Sequence, residues 1–222
     1  SEAFPDIKFE HLRNILTSDD RIGNWGFYDS LYAGGSCLIK DMRSLSYQLK
    51  AMGQDTSLVD EAYLANRRQL DRFMERAETE ANFDWQGKTV ALLGLAFKRD
   101  TNDVRNSPSV EIANFLKEKK IARLKAYDPA AAQWFQTLFS DERYIEYYDS
   151  DSEAVEDADV IIVATDWPQF RGLADRLVIE AKGKIGALIL DGRRMFQHRY
   201  ADLQRAGFDI IAVGSPFMRG QT

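Results

Sequence analysis

Residues 89–96 read TVALLGLA, a near-continuous apolar run broken only by Gly94. A strand with one face in water alternates apolar and polar residues. A run without alternation belongs to a strand buried on both faces, as in a parallel sheet. Just downstream, Ser107-Pro108 supplies a helix start, with serine as cap and proline at the first helical position, and predicts a helix to about Lys120. Further strands are predicted near 124–127, 144–148, 159–164, 186–190 and 208–213, separated by helices near 130–139, 152–157, 172–181 and 196–206. Strands alternating with helices predict a doubly wound α/β domain, a parallel sheet covered on both sides.

Upstream of that strand the composition shifts near residues 80–88, and the chain becomes mostly helical. Residues 7–17 read as the end of a short helix. A loop rich in glycine and aromatics follows over 21–36 (RIGNWGFYDSLYAGGS). From about Leu38 the apolar spacing of Met42, Leu45, Leu49 and Met52 predicts a helix that stops at Gly53. A longer helix is predicted over 57–80, with Val59, Tyr63, Leu70, Phe73 and Met74 as its stripe. The expected organisation is therefore a mostly helical segment, 1–82, ahead of an α/β domain, 83–222.

Bulk properties narrow the function classes. With a net charge of −6 the chain lacks the basic excess that a broad nucleic-acid surface requires. No apolar run has the length of a membrane span, and no secretory signal opens the chain. A single cysteine forms no intrachain disulfide, so the cytoplasm is the default compartment. The chain begins at Ser1 rather than methionine, which reads as a piece of a longer protein or a processed one.

Ligands of open parallel sheets bind beyond the carboxyl ends of the strands. After the first strand comes Phe97-Lys98-Arg99-Asp100-Thr101, with Arg105 just before the helix cap. Thr165-Asp166-Trp167 follows the strand at 159–164, and Asp191-Gly192-Arg193-Arg194 follows the one at 186–190. Cations beyond strand ends suit an anionic ligand such as a pyrophosphate. The competing reading pairs them with Asp100, Asp103 and Asp191 as ordinary surface ion pairs. No G-x-G-x-x-G occurs, so this sheet is not expected to hold a dinucleotide. Cys37 is the second focus. A lone cysteine is commonly an inert packing residue. This one follows Gly34-Gly35-Ser36 at a helix start, where the macrodipole favours thiolate, with Lys40 and Asp41 within one turn. Thiolate, cation and carboxylate together suit covalent catalysis. His11 and His198 have no partners at metal-ligand spacing, and no metal site is expected.

Three stretches carry a family resemblance. Residues 34–41 (GGSCLIKD) resemble the G-G-x-C-x-x-K-D signature of the nucleotide-sugar 6-dehydrogenases, the UDP-glucose/GDP-mannose dehydrogenase family. Residues 93–108 (LGLAFKRDTNDVRNSP) resemble that family's first strand and loop in its Rossmann-like, UDP-binding C-terminal domain. YDP at 127–129, ATDW at 164–167 and DGRR at 191–194 complete the order. The resemblance implies oxidation of the C6 alcohol of UDP-glucose to a carboxylate with NAD as cofactor. It implies Cys37 as the nucleophile, through a thiohemiacetal and a thioester, Asp41 acting on water, and Lys40 near cofactor and thiol. It assigns Phe97, Lys98 and Arg193 to the sugar nucleotide and Arg105 to NAD. The loop with Tyr28, Tyr32 and Gly34 would line the sugar pocket, and Arg21 would enter a neighbouring subunit's site, implying a homodimer or higher homo-oligomer.

Leu38-Ile39 departs from the family's aromatic-proline pair, and the loop at 25–32 is unusual. A GDP-mannose 6-dehydrogenase is the rival within the class, and a non-enzymatic nucleotide-sugar-binding or assembly module the rival outside it. The NAD domain, an acidic catalytic residue and a lysine/asparagine pair would precede residue 1. On that reading the 222-residue chain alone is inactive.

Overall fold

A computed structural model describes residues 4, 7, 9–24, 29–180 and 187–221. Helices α1 (Phe9–Thr17), α2 (Leu38–Ala51) and α3 (Ser57–Thr79) come first. The chain then alternates β1 (Thr89–Leu93), α4 (Pro108–Glu118), β2 (Arg123–Tyr127), α5 (Ala132–Leu138), β3 (Ile145–Tyr147), α6 (Asp151–Val155), β4 (Val160–Val163), α7 (Leu173–Glu180), β5 (Leu188–Asp191), α8 (Tyr200–Arg205) and β6 (Asp209–Ala212). The strands form one sheet in the order β3-β2-β1-β4-β5-β6, and every neighbouring pair is parallel. This is the doubly wound order, and its direction reverses between β1 and β4, where a crevice opens at the carboxyl ends.

Burial follows the apolar runs. Val90, Leu92, Val160, Ile162, Leu188 and Leu190 face one side of the sheet, while Ala91, Leu93, Ile161, Val163 and Ile189 face the other, all essentially buried. The absence of alternation in 89–93 is thus the signature of a strand with core on both faces. Leu70, Phe73, Met74 and Ala77 bring the second half of α3 into the first core, beside Ile112 and Leu116 of α4. Each large side chain buried there contributes about 1.5–3 kcal/mol. Arg76 fastens the same turn of α3 to the far strand. Its guanidinium pairs with Glu80 and donates to the carbonyls of Ala212 (3.1 Å) and Ser215 (2.8 Å).

Local rules hold at α4, where Ser107 Oγ accepts the Ser109 N–H at 3.2 Å and Pro108 opens the helix. Elsewhere the elements are shorter than expected. The helix expected over 172–181 is a 3₁₀ turn, Pro168–Gly172, running into α7, and the one over 196–206 begins as a 3₁₀ turn, Gln197–Arg199. Residues 181 and 186, predicted ends of a helix and a strand, lie outside the described residues. In α2 the expected stripe is not the buried face. Ile39 and Ser46 are buried, whereas Leu45 and Met52 are 48% and 71% exposed. Among the described residues no helix is long and apolar enough to cross a membrane.

Candidate functional site

Three strand ends are tied into one floor. β1 stops at Leu93 because Gly94 turns the chain at φ +88, where a Cβ would come within 2.7 Å of the Thr165 backbone nitrogen. Thr165, just past β4, donates its hydroxyl to the Ala96 carbonyl at 2.6 Å, and Ser109 donates to the Gly94 carbonyl at 2.6 Å. Asp128, just past β2, is buried and accepts five N–H groups: Leu95, Ala96, Ala130 and Ala131 of the backbone and the indole of Trp167. The YDP and TDW motifs thus serve one hydrogen-bonded unit beneath the crevice.

The end of β5 separates two adjacent arginines. Asp191 is the strand's last residue, fully buried, and accepts the N–H groups of Arg193, Met195 and Phe196 and the Tyr200 hydroxyl. Burial pushes its carboxyl up, against the pull of those donors. The ion pair with neighbouring arginines that the surface reading expected is therefore replaced by a backbone cap. Arg194, at φ +52, is 8% exposed and donates to the Val213 carbonyl (3.0 Å) and Ser215 Oγ (2.5 Å). It also pairs with Glu10 of α1, so it braces α1 against the sheet end while still lining the cleft beside Arg193. Arg193 turns the other way. Its Nη2 donates to Asp166 at 2.8 Å, and Arg99 Nη1 lies 3.9 Å from the same carboxylate. Arg193 and Asp166 line an open cleft of about 870 Å³, with Asp29, Arg171, Arg194, Met195, Gln197 and His198 around them.

From that cleft the stretch 29–37 runs along the sheet's carboxyl edge to the cysteine. Leu31, fully buried, packs on Gly192, where a Cβ would lie 2.5 Å from Leu31 Cγ. The side-chain amide of Asn66 on α3 clamps Ala33, accepting its N–H at 2.7 Å and donating to its carbonyl at 3.1 Å. Asn106 holds Gly35 in a similar way, its backbone carbonyl accepting the Gly35 N–H at 3.3 Å and its side-chain amide donating to the Gly35 carbonyl at 3.2 Å. Gly35 sits at φ +92, and a Cβ there would strike the Phe97 ring at 2.8 Å. Gly34 is held as closely, since a Cβ there would lie 2.5 Å from the Asn106 carbonyl oxygen. The two motifs thus meet through glycine backbone and an aromatic face, contacts that any larger residue would abolish.

Cys37 is the residue immediately before α2 and is exposed, with Sγ 3.9 Å from Ser36 Oγ. Asp41 N–H closes the first helical turn on the Cys37 carbonyl at 2.8 Å. Lys40 Nζ lies 3.1 Å from Asp41 Oδ1; that carboxylate raises the Lys40 pKa, and the charge of Cys37 adds in the same direction. Arg105 behaves alike, raised mainly by its pair with Asp103 and further by Cys37. Phe97 is half-buried against Gly35, and Lys98 Nζ stands 5.4 Å from its ring centroid.

The remaining expected residues are more scattered. Tyr32 is buried, its hydroxyl given to the Asn106 carbonyl at 2.8 Å, and burial pushes its pKa up. Arg21 is 89% exposed at the side chain and pairs with Asp19 of its own loop. Tyr28 lies outside the described residues. Sequence reading gave no role to Asn66, Asn106, Asp128 or Asp29. A mid-helix asparagine such as Asn66 carries no signal in a single chain, whereas Asp128, wedged between strand end and proline, was legible as a turn acceptor.

Residues 2–68 match the central domain of the UDP-glucose/GDP-mannose dehydrogenase family, and residues 91–198 match its UDP binding domain. The chain belongs to the UDP-glucose/GDP-mannose dehydrogenase family. Among the family's curated members it is similar to UDP-glucose 6-dehydrogenase TuaD of Bacillus subtilis, 32% identical over 91% of this chain and 42% of that protein. It is 35% identical to UDP-glucose 6-dehydrogenase AglM of Haloferax volcanii, over 82% of this chain and 40% of the relative. The chain thus spans less than half the length of these relatives. A UDP-glucose dehydrogenase structure from Pyrobaculum islandicum superposes with a TM-score of 0.72 at 28% identity, covering 85% of this chain and 41% of that one. An NDP-N-acetyl-D-galactosaminuronic acid dehydrogenase of Methanosarcina mazei gives 0.75 at 21% identity over 97% of this chain and 45% of that one, a likeness of fold.

Proposed function

We propose that this chain supplies the thiol nucleophile and the sugar-nucleotide site for oxidation of UDP-glucose to UDP-glucuronate. The observation that supports the reading is the docking of the Gly34–Gly35 backbone on Phe97 and Asn106, which joins the segment of exposed Cys37 to the loop that follows β1. A first hydride and the hydroxyl proton leave the C6 alcohol to give the aldehyde. The Cys37 thiolate then adds to its carbon, forming a carbon–sulfur bond, while the carbonyl oxygen takes up a proton to give a thiohemiacetal. Loss of a hydride leaves a thioester, which water cleaves to the carboxylate while sulfur departs as thiolate. Asp41, one turn along α2, positions that water. Phe97 and Lys98 flank the sugar, and Arg193 meets the diphosphate from the cleft side. Tyr28, Tyr32 and Gly34 belong to the loop that would wall the sugar pocket. NAD would accept the hydride; Lys40 and Arg105 are the residues on its side of the thiol. These residues carry no G-x-G-x-x-G turn to receive NAD's pyrophosphate. The 222-residue chain is accordingly expected to bind UDP-glucose without oxidising it. Arg21, exposed and apart, suits a neighbouring subunit's site in a homo-oligomer.

Cys37→Ser in the full-length protein is expected to abolish formation of the acid. Unchanged oxidation would reject the thiol's role. A clear preference of the full-length wild type for GDP-mannose would overturn the sugar assignment, and UDP-glucose binding by the full-length protein without any turnover would favour an assembly module.

A further inference from the structure

We propose that Asp166 is a positioning residue for the nucleotide site, orienting Arg193 toward the diphosphate; this rests on the role just proposed for Arg193. Arg99, Asp166 and Arg193 follow β1, β4 and β5, which are adjacent in the sheet, so their side chains meet at the crevice. The Asp166 carboxylate receives Arg193 Nη2 at 2.8 Å through one oxygen and faces Arg99 Nη1 at 3.9 Å through the other. Arg193 and Asp166 are only 16% and 26% exposed at the side chain, so their attraction is less screened than in a surface pair. A guanidinium has five N–H donors in a fixed fork. Nη2 is held by Asp166 and Nε is buried without a hydrogen-bond partner among the described residues, so the Asp166 bond is what fixes the Arg193 guanidinium on the wall of the cleft.

Asp166 is itself on a rigid segment. Ala164 N–H bonds to the Leu93 carbonyl at 2.9 Å, Thr165 to Ala96, and the Trp167 indole to Asp128. A side chain fixed on both sides transmits that fixation to its partner.

The sign of the effect separates orientation from simple charge. A carboxylate beside a diphosphate repels it, so by Coulomb's law alone its neutralisation should tighten binding. A positioning role demands the opposite. Asp166→Asn preserves size and one acceptor while weakening the hold on Arg193. UDP is titrated calorimetrically into the wild-type chain, Asp166→Asn and Asp166→Glu. The expected results are a roughly tenfold weaker Kd for D166N at an unchanged urea midpoint, with partial recovery in D166E. A second readout needs no variant and no ligand: the guanidinium resonances of Arg193 in the free chain should show slowed rotation. Unchanged or tighter UDP binding by D166N, or free rotation of the Arg193 guanidinium, overturns the proposal. Failure of the wild-type chain to bind UDP at all instead overturns the nucleotide reading, and this inference with it.

Discussion

Replacing Asp128 by asparagine keeps the shape of the side chain, removes its charge and turns one acceptor oxygen into a donor. Oδ2 accepts Leu95 N at 2.7 Å, Ala96 N at 3.1 Å and Trp167 Nε1 at 3.0 Å, while Oδ1 accepts Ala130 N and Ala131 N, each at 2.8 Å. Whichever oxygen becomes the amide nitrogen, N–H groups then confront N–H groups. The milder rotamer sacrifices the pair at Ala130 and Ala131. A buried donor left without an acceptor costs about 1–3 kcal/mol, and the surviving bonds lose their charge assistance, so a total near 4 kcal/mol is expected, to order of magnitude. For a chain of 222 residues each kcal/mol moves Tm by about 2–4 °C, which places the variant roughly 10 °C below the wild type. Scanning calorimetry supplies Tm, and urea unfolding followed by tryptophan fluorescence supplies the free energy. A loss below about 1 kcal/mol would refute the reasoning, because it would mean the five donors find other acceptors.

Two further outcomes test other joints of the structure. Gly192→Ala sets a Cβ 2.5 Å from Leu31 Cγ and should destabilise by about 1–3 kcal/mol; in the double variant with Leu31→Ala the penalties should fall short of additive, and strict additivity in a urea-unfolding cycle would deny the contact. Asp60 is held below the usual carboxylate range by Lys50 first, then by Ser46 and Thr56. A depressed acid stabilises the fold above its unfolded value and loses that contribution as pH falls through the folded one. The stability gap between wild type and Asp60→Asn should therefore be largest above the ordinary aspartate value of 3.8 and close progressively below it; a gap independent of pH would rule the assignment out.

The sheet was legible because burial on two faces leaves its mark directly in the chain, as in 89–93, and because Ser107-Pro108 fixes a helix start by local chemistry alone. The cysteine segment was legible as chemistry but not as geometry. Nothing in GGSCLIKD states that Gly35 lies under Phe97 or that Asn106 completes its backbone hydrogen bonds, since those contacts span the sequence from one motif to the other. Two arginines side by side in the sequence, Arg193 and Arg194, looked alike. Both line the cleft, but Arg194, at a left-handed backbone position, is tied to Glu10, whereas Arg193 is tied to Asp166. The α2 stripe misled for a related reason. Periodicity locates an apolar face, but which face is buried depends on the partner helix, and α3 engages Ser46 through Asp60.

The charge pattern of the site bears on how a diphosphate would be captured. Four cations around it have a carboxylate close by: Lys40 with Asp41, Arg105 with Asp103, Arg193 with Asp166, and Arg99 between Asp100 and Asp166. The chain as a whole carries a net charge of −6. The long-range field therefore repels an anion, and paired cations offset that repulsion only weakly beyond a Debye length, about 8–10 Å at moderate ionic strength. Capture must then rest on short-range, oriented hydrogen bonds, which is the regime in which fixing a guanidinium matters more than adding one. UDP affinity governed this way should vary little with added salt, whereas a steered, field-driven site would weaken steeply.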